Sequence, residues 1–303
     1  MLFNKIKDTD FDIVASIQEK TEYLGSEWSK LYLKVWDFFG YSKMEFAYKD
    51  EIAFIRFPVQ KQMKQYFPDI DTIYLPPICT LDQVSKAIDL AREQAKQDEK
   101  KFAMLGVPQE YIDAYQCDGL LITNRESQNE YIYRTQDLIE LKGKKYHSKR
   151  NHISVFDKSF NYEFSPYKKE DRQEVEQFFF KWEENKGTLY DKDDEKTEFK
   201  AIKKSLDMAF EKNIFAYMLR VNERIIGFTL GEVTPNKVGI IHIEKADIAY
   251  NGSYTKLMNL FAKEALKDTI YINRQEDMGI PGIRQSKQSY NPIGFAMKYF
   301  ITE

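Results

Sequence analysis

The two halves of this chain follow the same order of helical and extended patterns, and a repeated order restricts the fold more than any single segment does. In the first half, apolar residues at helical spacing mark helices over 11–23 and 26–39, the second carrying Trp28, Leu31, Val35 and Phe39 on one face. Alternating runs over 44–48 and 52–57 flank the turn-like pair Lys49-Asp50, and a third run over 72–75 stops at Pro76-Pro77. An amphipathic helix over 81–98, a strand over 102–107, a short helix opened by Pro108 and a strand over 130–133 complete the half.

The second half repeats the order. A strand over 162–165 leads to helices over 169–185, with Val175, Phe178, Phe179 and Trp182 on one face, and over 195–210. Strands over 214–221 and 225–233 flank the turn Asn222-Glu223-Arg224, and a third covers 238–246. A helix over 253–266, a strand over 269–273, a short helix after Pro281 and a strand over 295–301 end the chain. Two helices, three strands, helix, strand, helix, strand is the order of the acyl-CoA N-acyltransferase (GNAT) fold. The expected class is therefore α/β (α+β), with two tandem GNAT-like domains, each a mixed sheet flanked by helices. Residues 1–135 form the N-terminal copy, degenerate and supporting the second or shaping one wall of a shared cleft. Residues 136–160 form a basic connector, and 161–303 the C-terminal copy with the active site.

A length of 303 residues suits two domains. The formal net charge of −3 argues against a generic nucleic-acid coat but leaves room for a local basic patch. No apolar stretch follows the first lysines and nowhere do about 18 apolar residues run together, so neither a signal peptide nor a membrane-spanning helix is expected. Cys79 and Cys117 lie far apart outside any Cys-x-x-Cys pair, as reduced core thiols in a cytoplasmic protein do. His147, His152 and His242 share no zinc spacing with them, and no metal is expected.

Three segments, in order, resemble the C-terminal domain of phosphatidylglycerol lysyltransferases and its stand-alone bacterial relatives. The first is Leu141-Lys142-Gly143-Lys144-Lys145-Tyr146-His147-Ser148-Lys149-Arg150-Asn151-His152. The second is His242-Ile243-Glu244-Lys245-Ala246-Asp247, followed by Gly252-Ser253-Tyr254 and Asn259. The third runs from Tyr271-Ile272-Asn273-Arg274-Gln275-Glu276-Asp277 through Gly282-Ile283-Arg284 and Lys287 to Tyr290-Asn291-Pro292. Gln275 departs from the acid usual in that family, and the membrane-embedded half of the full-length lipid enzymes has no counterpart here. The resemblance implies an aminoacyltransferase that uses charged transfer RNA as co-substrate, with no cofactor, and a lipid head group or another hydroxyl or amine as acceptor. Related Fem-type enzymes, also tandem GNAT folds, act on peptidoglycan precursors. Peripheral contact with the inner face of the membrane is compatible with such an acceptor.

Read physically, the strands over 238–246 and 269–273 form the central parallel pair of the second copy. Polar groups leaving two neighbouring strand ends mark a ligand crevice. Glu244, Asn273, Arg274 and Asp277 are assigned there to substrate binding, and Asp247 or Glu276 to the base. The alternative is a buried salt-bridge network, and the two are compatible. Strict alternation puts Glu244 with His242 and Lys245 on the other face, unless the strand ends or bulges there. Arg284 and Lys287 lie three apart on one face of the helix after Pro281, as cations that meet an anion do, or as a solvated surface. Lys287 is taken as an electrostatic partner in catalysis, and Tyr254 and Tyr290 as hydrogen-bond donors. Lys144, Lys145, Lys149 and Arg150, in the run that starts at Lys142, either track RNA or an anionic surface or form a solvated connector.

Two other functions remain open. An acyl-CoA N-acyltransferase needs a glycine-rich turn whose amides hold the pyrophosphate; here Ala249-Tyr250-Asn251-Gly252-Ser253-Tyr254 supplies one glycine and a bulky tyrosine. A non-catalytic binding module of the same fold is the third reading.

Overall fold

The alternation over the 214–233 stretch becomes a hairpin whose two-residue turn, Asn222-Glu223, has φ of 49° and 65°. Both values are left-handed, the geometry that matches the twist of paired strands. The hairpin belongs to a computed structural model that describes residues 1–35, 43–115, 119–185 and 192–303. Phe39 and Cys117, and with Phe39 the end of the helix expected over 26–39, lie outside the described residues.

Among the described residues, the strands form two seven-stranded mixed sheets. The first contains β1 (Asn4–Lys5), β2 (Glu45–Lys49), β3 (Ile52–Pro58), β4 (Thr72–Tyr74), β5 (Ala103–Val107) and β6 (Leu121–Asn124). The second contains β7 (Glu130–Arg134), β8 (Tyr162–Pro166), β9 (Ile214–Val221), β10 (Arg224–Val233), β11 (Val238–Ala246), β12 (Tyr271–Asn273) and β13 (Gly294–Ala296). The last strand, β14 (Tyr299–Thr302), returns to the first sheet, giving orders β1-β2-β3-β4-β5-β14-β6 and β13-β7-β12-β11-β10-β9-β8.

This pairing corrects the expected partition of the strands. β7, read with the first half, lies between β12 and β13, where Ile272 faces Tyr133 and Phe295 faces Tyr131. The single strand expected over 295–301 is two strands in different sheets, with β14 inserted between β5 and β6. A boundary at 135/136 would therefore cut across the pairing twice. The chain passes from the first sheet to the second before β7 and back again after β13.

Helices cover the sheets as their apolar stripes require. On α3 (Val84–Gln97), Val84, Ala87, Ile88, Ala91 and Ala95 are buried in the first core, which also holds residues of α1 (Asp10–Gln18). On α9 (Ser253–Glu264), Met258, Phe261 and Ala262 are buried against β11 and β12, and Leu257 beside them packs with Ala246 and Phe156. α7 (Arg172–Asn185) and α8 (Lys192–Met208) cover the other face, where Phe179 meets Phe228 with ring centres 5.4 Å apart. α2 (Lys30–Val35) belongs to both halves: Leu33 enters the first core, while Leu31 and Val35 enter the core beneath α7 and α8. The remaining helices are α4 (Gln109–Ala114), α5 (Thr135–Glu140), α6 (His147–Ser159) and α10 (Pro281–Gln288). Among the described residues no helix is long and apolar enough to cross a membrane.

Candidate functional site

Among the described residues, each sheet contains one adjacent parallel pair, and it separates soon after it forms. β11 and β12 pair from Val238–Tyr271 to Ile240–Asn273 and then diverge. β4 and β5 pair only at Tyr74 and Met104. Both divergences open on the same cavity of about 1130 Å³, lined by Ile241 to Lys245 and Arg274 to Glu276 from the second sheet and by Leu75, Leu105 and Gly106 from the first.

On the second-sheet wall, the β10–β11 register slips by one residue, from Leu230 opposite Ile243 to Gly231 opposite Ile241. His242 is the extra residue of this bulge, which re-aims side chains and breaks strict alternation. Beyond the bulge the ladder is regular, so Glu244, turned to Arg274, and Lys245, turned to Glu198, keep opposite faces; both line the cavity, with His242, because it reaches both sides of β11 where β12 has diverged. Gly231 is required opposite the bulge, because a Cβ there would lie 2.4 Å from the Ile240 carbonyl oxygen. The His242 ring is held at both nitrogens, with Nε2 2.8 Å from Glu232 Oε1 and Nδ1 3.2 Å from Gln275 Nε2. A neutral ring that donates from Nε2 and accepts the Gln275 amide at Nδ1 satisfies both contacts.

Arg274 and Glu244 form a buried pair, Nη2 to Oε1 at 2.8 Å. Arg274 Nη1, Glu244 Oε2 and Glu276 Oε2 are buried without a hydrogen-bond partner among the described residues. Buried polar atoms in this state await water or ligand atoms. Behind them, Lys287 on α10 donates to three successive carbonyls, Arg274 at 2.6 Å, Gln275 at 3.0 Å and Glu276. It thereby holds the turn at Gln275, whose φ of 56° is left-handed. Burial, then the charge of Arg274, pushes Lys287 down to a pKa of about 8.

A buried charge cluster lies where the chain crosses between the two sheets. Lys298, in the link from β13 to β14, lies 2.6 Å from Glu27 Oε1 and 2.7 Å from Glu130 Oε1. Glu130 also accepts hydrogen bonds from the Ser26 amide, the Ser26 hydroxyl and Asn273. Tyr23 donates to Glu27. Burial raises Glu27 above the usual carboxyl range despite the pull of Lys298. In Glu130 burial acts in the same direction, but Lys298, Ser26 and Asn273 outweigh it and hold the group low. Gly106, at φ +82°, lets Glu27 lie against the β5 backbone, since a Cβ would be 2.7 Å from Glu27 Cγ.

Among the residues singled out in the sequence, Glu244, Tyr254, Arg274, Glu276 and Lys287 line this cavity. The Tyr254 hydroxyl accepts from Trp182 Nε1 at 3.1 Å. The other residues lie elsewhere. Asp247 follows β11 and accepts from the Ala249 amide at 2.9 Å, stabilising a turn. Asn273 is fully buried and ties β12 to the Leu24 carbonyl and to Glu130. Asp277 binds Arg284 at 2.8 Å and accepts from Tyr131 at 2.7 Å, so Arg284 meets a protein carboxylate where an external anion was expected. Burial alone would raise Asp277; Arg284, Tyr131 and the Gly279 amide outweigh it and hold the group low. Tyr290 is buried, with the Arg274 guanidinium 4.6 Å and the Lys149 ammonium 3.7 Å from its ring centre.

The basic run is largely folded onto the protein. Lys142 pairs with Glu140, Lys145 with Asp137, and Arg150 caps the carbonyls of Leu141 and Gly143. Lys149 binds Ser289 at 2.6 Å, while Lys144 is exposed. Glu27, Glu130 and Lys298 were not anticipated. Of the three, Lys298 carries a signal in the sequence, a charge placed inside the apolar run from Phe295 to Ile301. Among the described residues no His, Cys, Asp and Glu side chains gather in a group that could hold a metal ion.

Residues 42–302 match the model of the family described as phosphatidylglycerol lysyltransferase, C-terminal. A crystal structure of a conserved protein of unknown function from Bacteroides thetaiotaomicron superposes with a TM-score of 0.87 at 28% identity, covering 99% of this chain and 98% of that one. An uncharacterized protein of Mycoplasmoides gallisepticum is 26% identical over 96% of this chain and 97% of its own length. A chain described as the C-terminal domain of a lysylphosphatidylglycerol synthetase from Agrobacterium fabrum has the same fold, with a TM-score of 0.68 at 13% identity over 97% of this chain and 91% of that one.

Proposed function

Because the chain belongs to the phosphatidylglycerol lysyltransferase C-terminal family, we propose that it moves an aminoacyl group from charged transfer RNA to a hydroxyl or amine acceptor, a lipid head group among them. The observation that carries this reading is the single cavity into which both divergent strand pairs open. At about 1130 Å³ it exceeds the ~300–1,000 Å³ of sites for one small ligand, which suits a donor end and an acceptor held together. Its walls combine buried charge, at Arg274, Glu244 and Glu276, with Phe67, Leu75, Leu105 and Ile243. The donor ester is already activated, so the site has to supply positioning and charge stabilisation, and no resident cofactor enters the reaction.

The geometry at α9 speaks against acyl-CoA as donor. Gly252 precedes that helix at φ +88°, and a Cβ on it would lie 2.3 Å from the His152 carbonyl oxygen of α6. The Ser253 amide already donates to Tyr250 at 2.9 Å. A pyrophosphate approaching this helix end would meet a carbonyl oxygen where coenzyme A needs open amides.

Thermal shift against coenzyme A, acetyl-coenzyme A and a non-hydrolysable mimic of a charged transfer RNA 3′ end tests the reading. A ligand at 100 times its Kd adds about 2.7 kcal/mol to the folded state. Stabilisation by the charged-end mimic alone is expected, and stabilisation by coenzyme A in its place overturns the proposal.

A further inference from the structure

Three lysines line the cavity; Lys245 is drawn to the outer side of its strand, pairing with Glu198 at 2.6 Å and lying 4.0 Å from the Trp182 ring centre, and the other two differ in how their donors are used. An ammonium group has three N–H donors. Lys287 gives all three to the carbonyls of Arg274, Gln275 and Glu276, leaving none for a substrate. Lys298 gives one to Glu130 and one to Glu27, and among the described residues its third has no acceptor. Lys298 lines the cavity with its side chain 10% exposed, so that donor works in surroundings that screen charge weakly.

We infer that Lys298 is the catalytic cation of this site, its remaining N–H donating to the carbonyl oxygen of the transferred acyl group as negative charge builds there. The inference rests on the aminoacyl-transfer reading above. In the step it serves, the acceptor's lone pair forms a bond to the ester carbon and the C=O electron pair moves onto oxygen. Return of that pair expels the ribose oxygen, and the proton leaving the acceptor ends on it. A preorganised donor aimed at such an oxygen stabilises the transition state more than the ground state.

Glu27 and Glu130 are positioning residues for this cation. They hold the ammonium from two directions, one from the first half of the chain and one from β7. Burial by itself would lower the pKa of Lys298; Glu130, then Glu27, outweigh it, with Tyr32 and Glu276 adding to the same effect, and the group stays charged. Glu130 supplies the lasting counter-charge, because Glu27 is the carboxyl that burial lifts. Tyr23, bonded to Glu27, completes the set of titratable groups around it.

The test is titration calorimetry of the full chain with two probes. One is adenosine carrying an aminoacyl group through a 3′ amide, which is neutral at the acyl carbon. The other replaces that carbon with a tetrahedral, anionic phosphonamidate. Wild type is expected to bind the anionic probe at least ~10-fold more tightly, as transition-state mimics are bound. Lys298→Met is expected to lose the preference, and Lys142→Met, whose ammonium pairs with Glu140 outside the cavity, to keep it. If Lys298→Met does not fold, having left two buried carboxylates unpaired, the triple variant Lys298→Met, Glu27→Gln, Glu130→Gln removes the charges together and is expected to show the same loss. Equal binding of the two probes by wild type, or a preference that survives in the variant, overturns the role of Lys298 and leaves the aminoacyl reading standing. Failure of both probes to bind wild type overturns that reading and this role with it.

Discussion

Glu130 and Lys298 stand 168 positions apart in the chain, yet their side chains meet at 2.7 Å where the backbone leaves the second sheet for the first. Neither belongs to the half of the molecule in which the alternation of the sequence would place it. The Glu130 side chain has no solvent exposure and that of Lys298 10%. Removing one partner of a buried pair costs about 3–5 kcal/mol, because the other is left uncompensated. Glu130→Gln is expected to fall at the lower end of that range, since Lys298 keeps Glu27, with the loss read as a lower urea midpoint at unchanged m-value.

The exchange of β7 and β14 predicts that the halves do not fold apart. A fragment of residues 1–135 lacks β14 between β5 and β6, and its β7 lacks both neighbours. A fragment of 136–303 lacks β7 between β12 and β13. Each is expected to show no cooperative thermal transition by circular dichroism. Co-expression of the two is expected to restore one; independent melting of either would mean that the shared strands are dispensable.

Gly231→Ala tests the bulge at His242. The added Cβ would lie 2.4 Å from the Ile240 carbonyl oxygen, and backbone cannot give way as a side chain can. A loss of ~1–3 kcal/mol is expected from overpacking. The same substitution should weaken ligand binding at the cavity, because it displaces the strand that carries His242 and Glu244.

Lys287 makes a pH prediction whose sign follows from its depressed pKa. Below about pH 8 the group is charged in both folded and unfolded chains, and the cost of burying that charge is fully present. Between about 8 and the usual 10.5 the unfolded chain holds the proton and the folded chain does not, so stability rises with pH across that window. The slope contributed is at most ~1.4 kcal/mol per pH unit. Urea unfolding of wild type and Lys287→Met at pH 7.5, 9 and 10 should show wild type gaining on the variant. A constant difference would mean that Lys287 is not perturbed.

Much of the fold was legible because its signals are local. The 214–233 hairpin carries its own alternation and turn residues, and the buried stripe of α3 is written at helical spacing. The parallel pair that opens the cavity was also legible, since β11 and β12 are long-range neighbours in any fold of this order. What was not legible depends on partners distant in sequence. The bulge that makes His242 an extra residue in β11 is fixed by Gly231 on another strand. Arg284 looked like a cation awaiting an anion because Asp277, its partner, had been assigned to substrate. The Lys298 cluster draws on Glu27 and Glu130, each of which has an unremarkable local sequence. Strand exchange hides for the same reason: β7 follows the first half in the chain and differs only in which edges it meets.

The crossing of the chain between sheets also decides how substrates can reach the cavity. Its two walls belong to different sheets, and a two-walled cleft ordinarily admits ligands by swinging like a jaw. Here each wall owns a strand whose covalent continuation lies in the other, and a buried ammonium rivets the second crossing. A jaw motion would have to bend both crossings and pull Lys298 away from Glu27 or Glu130, so widening this site means separating a buried ion cluster.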